Sequence, residues 1–178
     1  MDVTSSRPFG KYQLLERVGI GGMAEIWTAQ LIDKSASDEI VVVKKILPRY
    51  AINSTFITMF VQEAKVASVL QHPNIVTIYE LGEEKGEYYI SMEYVLGADL
   101  LRLLTLATRL KRHIPPELCL FIVSELCKGL GYAHSATDMT GKPLEIVHLD
   151  VSPANILLSF DGELKLTDFG VAKVSVEG

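Results

Sequence analysis

The sequence HLDVSPAN at residues 148–155, followed by TDFG at residues 167–170, is the most specific signal in this chain. Asp150 and Asn155 are five positions apart, and Asp168 lies thirteen positions further on. This spacing fits two short loops joined by a hairpin, which would aim three oxygen-bearing side chains at one point. Carboxylate and amide oxygens grouped in this way indicate phosphate and Mg²⁺ chemistry.

Size and charge narrow the class of protein. The chain has 178 residues, of which 48% are hydrophobic and 22% charged, as in an ordinary globular protein. A chain of this length buries roughly 70% of its unfolded surface on folding, which is enough for one domain or two small lobes. The formal net charge is −5 and the basic residues are scattered, so we expect no nucleic acid as a partner.

Cysteine usage and hydropathy bear on location. Cys119 and Cys127 are eight residues apart in one predicted helix, separated by about 12 Å of helical rise. That separation is too large for a disulfide, and we predict two reduced core thiols. The N-terminus lacks the layout of a signal peptide, and the apolar run 118–123 is far shorter than the ~20 residues that span a bilayer. We therefore expect a cytoplasmic segment without membrane contact.

The first half of the chain has the pattern of a sheet with one helix. Runs rich in β-branched residues, broken by glycine and by Asp/Ser clusters, predict three antiparallel strands between residues 12 and 43. Apolar residues at three- and four-residue steps then predict an amphipathic helix that begins after Asn53-Ser54 and ends before His72-Pro73. Two further strand-like runs, IVTIYELGE and YYISMEYV, flank a hairpin turn at EEKGE.

Gly97 marks a change to helical patterning. We predict one helix over residues 100–108 and a longer one from Pro116 to His134, where proline suits the first turn. The longer helix is apolar on nearly every side, which is typical of a helix inside a protein. Short strands are expected around 146–147, at 155–158 and at 164–167.

A glycine-rich hairpin and a lysine precede these elements. GIGGMAEI, residues 19–26, lets backbone N–H groups approach phosphate oxygens, although Gly-Gly is equally ordinary in a turn. Lys44 ends the apolar strand VVVK, and a charge there needs an anionic partner such as Glu63 in the amphipathic helix. The alternative is a surface lysine and a solvated glutamate. Lys45 points to the opposite side of the strand, and we predict that it faces solvent.

In their order along the chain, these motifs resemble those of protein kinases, in particular bacterial serine/threonine kinases. GIGGMAEI is similar to the glycine-rich loop, VVVK to the strand with the phosphate-binding lysine, and FVQEAKVA to the helix with its glutamate partner. HPNIV, MEYV, HLDVSPAN and TDFG follow in the family's order. The resemblance covers essentially the whole chain and implies an α+β, protein-kinase-like two-lobe fold. Its N-lobe would hold a five-stranded antiparallel sheet and one long helix, followed by an incomplete, mostly helical C-lobe.

The resemblance implies a site for ATP and Mg²⁺. Lys44 would orient the α- and β-phosphates and be held by Glu63. Asn155 and Asp168 would coordinate Mg²⁺, and Asp150 would accept the proton of the substrate hydroxyl. The substrate would be a protein.

The resemblance also assigns residues to the adenine and the ribose. Met92 would flank the adenine pocket, and the linker residues Glu93 and Val95 would hydrogen-bond the base through their backbone. Asp99 could reach the ribose, or it could cap the helix that begins at Leu100. The complete set of implied nucleotide-binding residues is Val18, Gly19, Ile20, Gly21, Gly22, Ile26, Val42, Lys44, Met92, Glu93, Val95, Asp99 and Leu157.

Two further residues of these motifs have an implied structural role. His148 and Phe169 would pack together and hold the catalytic loop against the magnesium loop. We expect His148 to be structural rather than a proton carrier, because the family uses the neighbouring carboxylate.

Four positions depart from the family pattern. Leu149 replaces an arginine that pairs with a phosphorylated activation loop, so we expect that form of switching to be weakened or missing. Ser152 replaces a lysine that contacts the γ-phosphate, which should slow transfer. Its hydroxyl could still donate one hydrogen bond, so Ser152 is counted with the catalytic residues. Ala24, in place of the third loop glycine, and Val42, in place of an alanine above the adenine, are mild steric changes.

The expected domain organisation follows from the same motifs. We predict an N-terminal extension at 1–11, a kinase N-lobe at 12–95 and a partial C-lobe at 96–178. The activation segment, the peptide-docking surface and the later helices are expected to be missing from this chain. The apolar helix would then lack its cover, and self-association through it is an expectation.

Three functions are consistent with these observations. The leading hypothesis is an ATP- and Mg²⁺-dependent kinase acting on protein serine or threonine hydroxyls. The second is a weak or inactive nucleotide-binding scaffold, which Leu149 and Ser152 favour. The third is an inactive fragment of a longer kinase. The catalytic loop itself does not separate serine/threonine from tyrosine kinases, because Ser152 stands where the distinguishing residue would be.

Overall fold

The computed structural model describes residues 6–33 and 39–169 of the chain. These residues form two compact units, of which the first combines the chain up to Ser68 with Ile78–Tyr94, and the second combines Val69–Thr77 with the chain from Val95. Residues 1–5 of the predicted N-terminal extension and Gly170 of the TDFG motif lie outside the described residues.

The first unit is an antiparallel sheet with helices. Its elements are β1 Arg7–Phe9, β2 Tyr12–Ile20, β3 Ala24–Leu31, β4 Ile40–Ile46, α1 Pro48–Ala51, α2 Ser54–Ser68, β5 Ile78–Glu84 and β6 Glu87–Glu93. Within the described residues the sheet has six strands in the order β1-β2-β3-β4-β6-β5. The five predicted strands and the long helix are confirmed, and the added strand β1 pairs with the start of β2. Because β1 is only three residues long and contains Pro8, it has no clear strand pattern in the sequence.

The hairpin between β5 and β6 has the predicted tight turn. Glu84 and Glu87 are register partners, so only two residues connect the strands. Lys85 has φ of 53° and Gly86 has φ of 82°. Two positive φ values are the signature of a type I′ turn, whose twist matches the flanking strands.

The sheet curls until its two edges meet around a core. Phe9 of β1 contacts Tyr89 of β6, with ring centroids 5.3 Å apart. The Glu80 carboxylate of β5 accepts hydrogen bonds from the Tyr12 hydroxyl at 2.8 Å, from the Tyr89 hydroxyl at 2.9 Å and from Lys11 Nζ at 2.5 Å. Burial raises the pKa of Glu80, but these donors outweigh it, and the net direction is downward. The enclosed core consists of Tyr12, Leu14, Trp27, Ala29, Val41, Val43 and Tyr89.

The second unit contains two helices and a small antiparallel sheet. The predicted helices and the last two predicted strands are confirmed. The expected strand at 146–147 is reduced to a bridge position at Val147. The elements are β7 Gly97–Asp99, α3 Leu100–Arg109, α4 Pro116–Ser135, a 3₁₀ turn Pro153–Asn155, β8 Ile156–Ser159 and β9 Leu164–Leu166, with strand order β7-β8-β9 in the described residues.

The loop Val69–Thr77 ties helix α4 to strand β9. Asn74 Nδ2 donates hydrogen bonds to the Glu125 carboxylate and to the Leu164 carbonyl, each at 3.0 Å. The Leu166 N–H donates to the Asn74 carbonyl at 2.8 Å. Gly129 lets α4 approach closely, because a Cβ there would lie 3.0 Å from that carbonyl.

Helix α4 is less buried than its sequence predicts. Among its residues, all of which the structure describes, only Ile122, Gly129 and Ala133 are buried. The prediction that it lies inside the protein is therefore wrong for this chain, whereas the expected uncovered apolar face is present.

The prediction of core thiols is also wrong, because Cys119 and Cys127 are both free and exposed. A helix buries only the side that a neighbour covers. The large exposed hydrophobic side chains on α4 are Leu118, Leu120, Phe121, Val123 and Tyr132.

Across the described residues, every helix is too short or too polar to cross a membrane.

Gly97 is required by the close approach of β7 to β8. A Cβ at this position would lie 1.9 Å from the Leu158 carbonyl oxygen. We predict that Gly97→Ala lowers the free energy of unfolding by at least about 2 kcal/mol, because backbone must move to make room. Urea denaturation measures the change. Gly131→Ala in α4 is the matched control: nothing lies within 4 Å of its added methyl, so it should be neutral or stabilising. Equal effects of the two substitutions would contradict this account.

Candidate active site

Lys44 and Glu63 form a buried ion pair in the first unit. Lys44 Nζ lies 2.5 Å from Glu63 Oε1, and the two side chains are 13% and 9% exposed. Strand β4 brings the lysine to this position, and helix α2 packs its buried face, which includes Glu63, against the sheet. The alternative of a solvated pair is excluded. That the pair binds phosphate stays a prediction.

Lys45 is on the opposite side of β4, as the strand period requires, but it does not face solvent. The residue is only 5% exposed. Its Nζ lies 2.6 Å from Glu87 Oε2 and 3.6 Å from Glu25 Oε1, and 4.3 Å from the centre of the Phe9 ring. The prediction was wrong because the curled sheet, with its unforeseen strand β1, covers this side of β4.

The glycine-rich segment is the hairpin between β2 and β3. The Gly21 N–H donates to the Ala24 carbonyl at 2.8 Å, which closes the turn. Gly19, Gly21 and Gly22 do not have positive φ. A Cβ at Gly22 would meet nothing within 4 Å, and at the other two the nearest atom would be 3.5 Å or further away. The chain's own packing and backbone therefore do not demand glycine at these positions, which favours the ligand interpretation over ordinary turn chemistry.

Other predicted nucleotide-binding residues line neighbouring strands of the same unit. Val42 on β4 is the register partner of Met92 on β6. Ile26 on β3 is the register partner of Lys44, so its position on the strand is level with the lysine. Met92 is buried at 7% exposure, whereas Val18 and Ile20 are exposed. Glu93 ends β6.

The second unit carries the remaining predicted binding residues. Asp99 and Leu157 are register partners in β7 and β8, and Val95 begins the segment that leads to β7. Asp99 Oδ1 accepts a hydrogen bond from the Arg102 N–H at 2.7 Å, so the predicted helix cap is confirmed. A contact between Asp99 and a ribose stays a prediction.

The predicted catalytic loop, residues 148–155, joins Asp150 directly to Asn155. Asn155 Nδ2 donates to the Asp150 carbonyl oxygen and to Asp150 Oδ2, both at 3.0 Å. Asn155 is buried at 9% exposure, and its N–H donates to the Ser152 carbonyl at 3.0 Å in the 3₁₀ turn. The two bonds from Nδ2 to Asp150 fix the orientation of the Asn155 side-chain amide. Its oxygen, Oδ1, therefore points away from Asp150.

His148 fastens the catalytic loop to the strand that leads to Asp168. Its Nδ1 accepts a hydrogen bond from the Asp150 N–H at 3.2 Å, and its Nε2 lies 3.1 Å from the Thr167 carbonyl. A carbonyl can only accept, so the ring carries its proton on Nε2 and is neutral. Burial lowers the pKa of His148. Its ring packs against Phe169 with centroids 4.5 Å apart, which confirms the predicted packing of these two residues.

Two residues of the quoted motifs adopt left-handed backbone. Leu149 has φ of 63° and Asp168 has φ of 61°. Such conformations cost of order 1–2 kcal/mol in non-glycine residues and concentrate at functional sites. Leu149 is also 51% exposed, so its strained backbone presents an apolar side chain at the position where the resemblance implied an arginine.

The residues predicted from sequence therefore fall into two groups. The first unit holds the glycine hairpin, the Lys44–Glu63 pair and the Val42–Met92 pair. The second unit brings together Asp150, Asn155 and the segment around His148. Sequence reasoning assigned no role to Glu25, although it lies in the quoted segment GIGGMAEI. In the structure Glu25 contacts three basic side chains.

Comparison with known proteins identifies the family. A family model described as the protein kinase domain matches residues 12–178. The tyrosine-protein kinase MasK of Myxococcus xanthus is 42% identical over 167 residues, which cover 94% of this chain and 26% of MasK. The serine/threonine-protein kinase PrkC of Bacillus subtilis is 40% identical over 163 residues, which cover 92% of this chain and 23% of PrkC.

Solved structures give the same result. The crystal structure of the Mycobacterium tuberculosis PknI kinase domain matches with a TM-score of 0.73 and 30% identity, covering 95% of this chain and 63% of that one. The chain belongs to the protein kinase family, and the resemblance to bacterial kinases and the expected fold class are confirmed. It spans about a quarter of the length of the curated relatives it matches.

The buried, neutral His148 makes stability depend on pH. Its pKa is lowered below the value of about 6.5 in an unfolded chain. Below pH 6.5 the unfolded state therefore binds more protons, and the free energy of unfolding falls until the pH passes the folded-state pKa. We predict that this loss between pH 6.5 and 5 is smaller in His148→Gln. Urea denaturation at both pH values measures it, and equal losses in the two proteins would show that His148 is not the source.

Proposed function

We propose that this chain is the ATP- and Mg²⁺-dependent catalytic segment of a protein kinase. The observation that carries the proposal is the Lys44–Glu63 ion pair, at 2.5 Å with both side chains largely buried. Buried ion pairs are a weak source of stability, since desolvation offsets much of the attraction. A lysine held at the end of a strand beside a glycine hairpin is better explained by an anionic ligand. Kinase family membership supports the triphosphate of ATP as that ligand.

The first unit would bind the nucleotide. The N–H groups of the glycine hairpin and the Lys44 ammonium would contact phosphate oxygens, and Glu63 would keep the ammonium in place. Val42 and Met92, adjacent in the sheet, would contact the adenine. Glu93 would hydrogen-bond the base through its backbone.

The second unit would supply the proton acceptor. The substrate hydroxyl oxygen would attack the γ-phosphorus, while the bond from that phosphorus to the β–γ bridging oxygen breaks and ADP leaves. Asp150 would take the hydroxyl proton. Its Oδ2 accepts from Asn155 Nδ2, so the carboxylate is oriented before any substrate arrives.

Asn155 and Asp168 would hold the metal. The Asn155 amide nitrogen is engaged by Asp150, which leaves its oxygen as a ligand of the type that Mg²⁺ prefers. Asp168 supplies a carboxylate from a backbone conformation of positive φ. Mg²⁺ bound there would neutralise charge on the phosphates.

Two departures favour a second candidate function, a nucleotide-binding scaffold with little or no turnover. Because Ser152 stands in place of a lysine, a cation beside the developing negative charge is lost. A single electrostatic contact of this kind contributes about 10²–10³-fold to the rate. Leu149 removes the partner of an activation-loop phosphate. ATP and Mg²⁺ would then stabilise the protein in a thermal-shift measurement without phosphate transfer.

The acceptor hydroxyl is proposed to be that of serine or threonine in a protein substrate. PrkC, a serine/threonine kinase by name, supports this choice. MasK is named a tyrosine kinase and is the more similar of the two, so a tyrosine acceptor is the competing proposal. Ser152 occupies the position that would distinguish them.

The remaining expectations also become proposals. We place the segment in the cytoplasm, where ATP is available. The uncovered apolar side of α4 is proposed as a surface for self-association, and no nucleic-acid partner is expected. The boundaries 1–11, 12–95 and 96–178 are retained as the proposed extension, N-lobe and partial C-lobe.

Replacing Asp150 tests the kinase proposal. We predict that Asp150→Asn lowers phosphate transfer from γ-labelled ATP by about 10²–10⁴-fold, because the amide cannot accept the hydroxyl proton. The assay uses the complete gene product and a general protein substrate, and phosphoamino-acid analysis of the product reports serine, threonine or tyrosine. Asp161→Asn, on the exposed turn between β8 and β9, is the matched control. Equal rates of phosphate transfer in Asp150→Asn and the wild type would contradict the proposal.

Gly22 tests the phosphate contact separately from catalysis. Since a Cβ at Gly22 meets nothing within 4 Å, Gly22→Ala should leave the melting temperature unchanged. We predict that it weakens ATP binding by about tenfold, as expected when one close backbone contact is lost. Adenosine binding, measured alongside by calorimetry, should not change. An unchanged ATP affinity would show that this part of the hairpin does not approach phosphate.

A further inference from the structure

Glu25 connects three strands of the first unit through its side chain. Its carboxylate lies 3.5 Å from Arg7 Nη2 of β1, 3.8 Å from Arg17 Nη1 of β2 and 3.6 Å from Lys45 Nζ of β4. The Glu25 side chain is only 13% exposed. A largely buried carboxylate among three cations interacts more strongly than a surface pair, because less water screens it.

The position of Glu25 in the chain is as informative as its contacts. Glu25 is the second residue of β3, directly after the glycine hairpin. Arg17 lies just before the hairpin on β2, and the β2–β3 register shifts between Arg17 and Gly19. Such an irregularity interrupts the ladder of backbone hydrogen bonds. The Arg17–Glu25 contact therefore links strands β2 and β3 at the point where the backbone hydrogen bonds between them are interrupted.

Lys45 links Glu25 to strand β4, which also bears Lys44, the proposed phosphate-binding lysine. Lys44 and Lys45 are consecutive, so their side chains leave β4 on opposite faces. Lys45 is bound to Glu87 at 2.6 Å as well as to Glu25. Fixing Lys45 on one face therefore fixes the backbone from which Lys44 extends toward Glu63 on the other.

We propose that Glu25 is a positioning residue, which holds the glycine hairpin and the Lys44 end of β4 in a fixed mutual alignment for the triphosphate. The proposal rests on the proposed function, since it concerns the same phosphate site. It assigns to Glu25 no contact with ATP. Its effect passes through Arg17 to the hairpin and through Lys45 to β4.

The test separates phosphate binding from adenine binding. Glu25→Gln keeps the side-chain shape and removes the charge. It should weaken ATP binding about tenfold, as for the loss of a coupled charged contact. It should leave adenosine binding unchanged, since the side-chain partners of Glu25 are Arg7, Arg17 and Lys45 rather than Val42 and Met92, which are proposed to contact the adenine. Calorimetry on the complete gene product measures both affinities. A merely structural role would lower both affinities together or neither, and either result would overturn the proposal.

Glu80→Gln is the matched control for stability. Glu80 is also a carboxylate that accepts from several donors in the same sheet, but it lies on β5 and its donors Lys11, Tyr12 and Tyr89 belong neither to residues 19–24 of the hairpin nor to β4. Glu80→Gln should lower the melting temperature without changing the ratio of ATP to adenosine affinity. Lys45→Arg, which keeps the charge, should retain most of the ATP affinity. Should Glu25→Gln fail to fold, Arg17→Gln removes only the connection to the hairpin and is expected to weaken ATP binding in the same sense.

A measurement without nucleotide tests the same alignment independently of the proposed function. In the free protein, Glu25→Gln should increase amide hydrogen exchange at residues 19–24 and 43–46 at least several-fold over Glu80→Gln. Unchanged exchange at these residues would overturn the proposal even if ATP binds. If the wild-type protein binds no ATP, the proposed function fails, and the exchange result still decides whether Glu25 aligns the hairpin with β4.

Discussion

Two consecutive lysines on strand β4 constrain the first unit more than any other feature. A strand sends neighbouring side chains to opposite faces, so both faces must provide carboxylates if both lysines are buried. Helix α2 supplies Glu63 on one face. The curled sheet supplies Glu25 and Glu87 on the other. The position of α2, the curl of the sheet and the added strand β1 all serve this requirement.

The second unit meets a different constraint, which is to hold polar loops at defined positions without regular secondary structure. It does so with side-chain to backbone hydrogen bonds. His148 joins the Asp150 N–H to the Thr167 carbonyl, and Asn155 joins both the backbone and the carboxylate of Asp150. Both ring nitrogens of His148 and the side-chain nitrogen of Asn155 have defined partners, and the donor and acceptor pattern keeps the histidine neutral. Loops built in this way can present a carboxylate and an amide in fixed orientations.

Local patterns predicted the elements well where periodicity was long. The predicted amphipathic helix corresponds to α2. The predicted hairpin at EEKGE is present because Lys85-Gly86 suits a type I′ turn. Patterns failed where burial depended on distant segments. Cys119 and Cys127 lie on the side of α4 that nothing described in the structure covers, and Lys45 is covered by elements far away in sequence.

The sequence by itself determined the family and the identity of the candidate catalytic residues, because motif order and spacing are properties of the chain. It also determined the helices, the tight turns and most of the strands, which depend on neighbours a few residues apart, although it missed β1 and overpredicted a strand at 146–147. Only the tertiary structure decided which charges are buried and with which partners. Glu25 meets Lys45 because strands β3 and β4 pair in a register that sets the two residues opposite each other, and it meets Arg7 because the short strand β1 joins the edge of the sheet. Contacts of that kind depend on the sum of many weak long-range interactions, which no local pattern encodes.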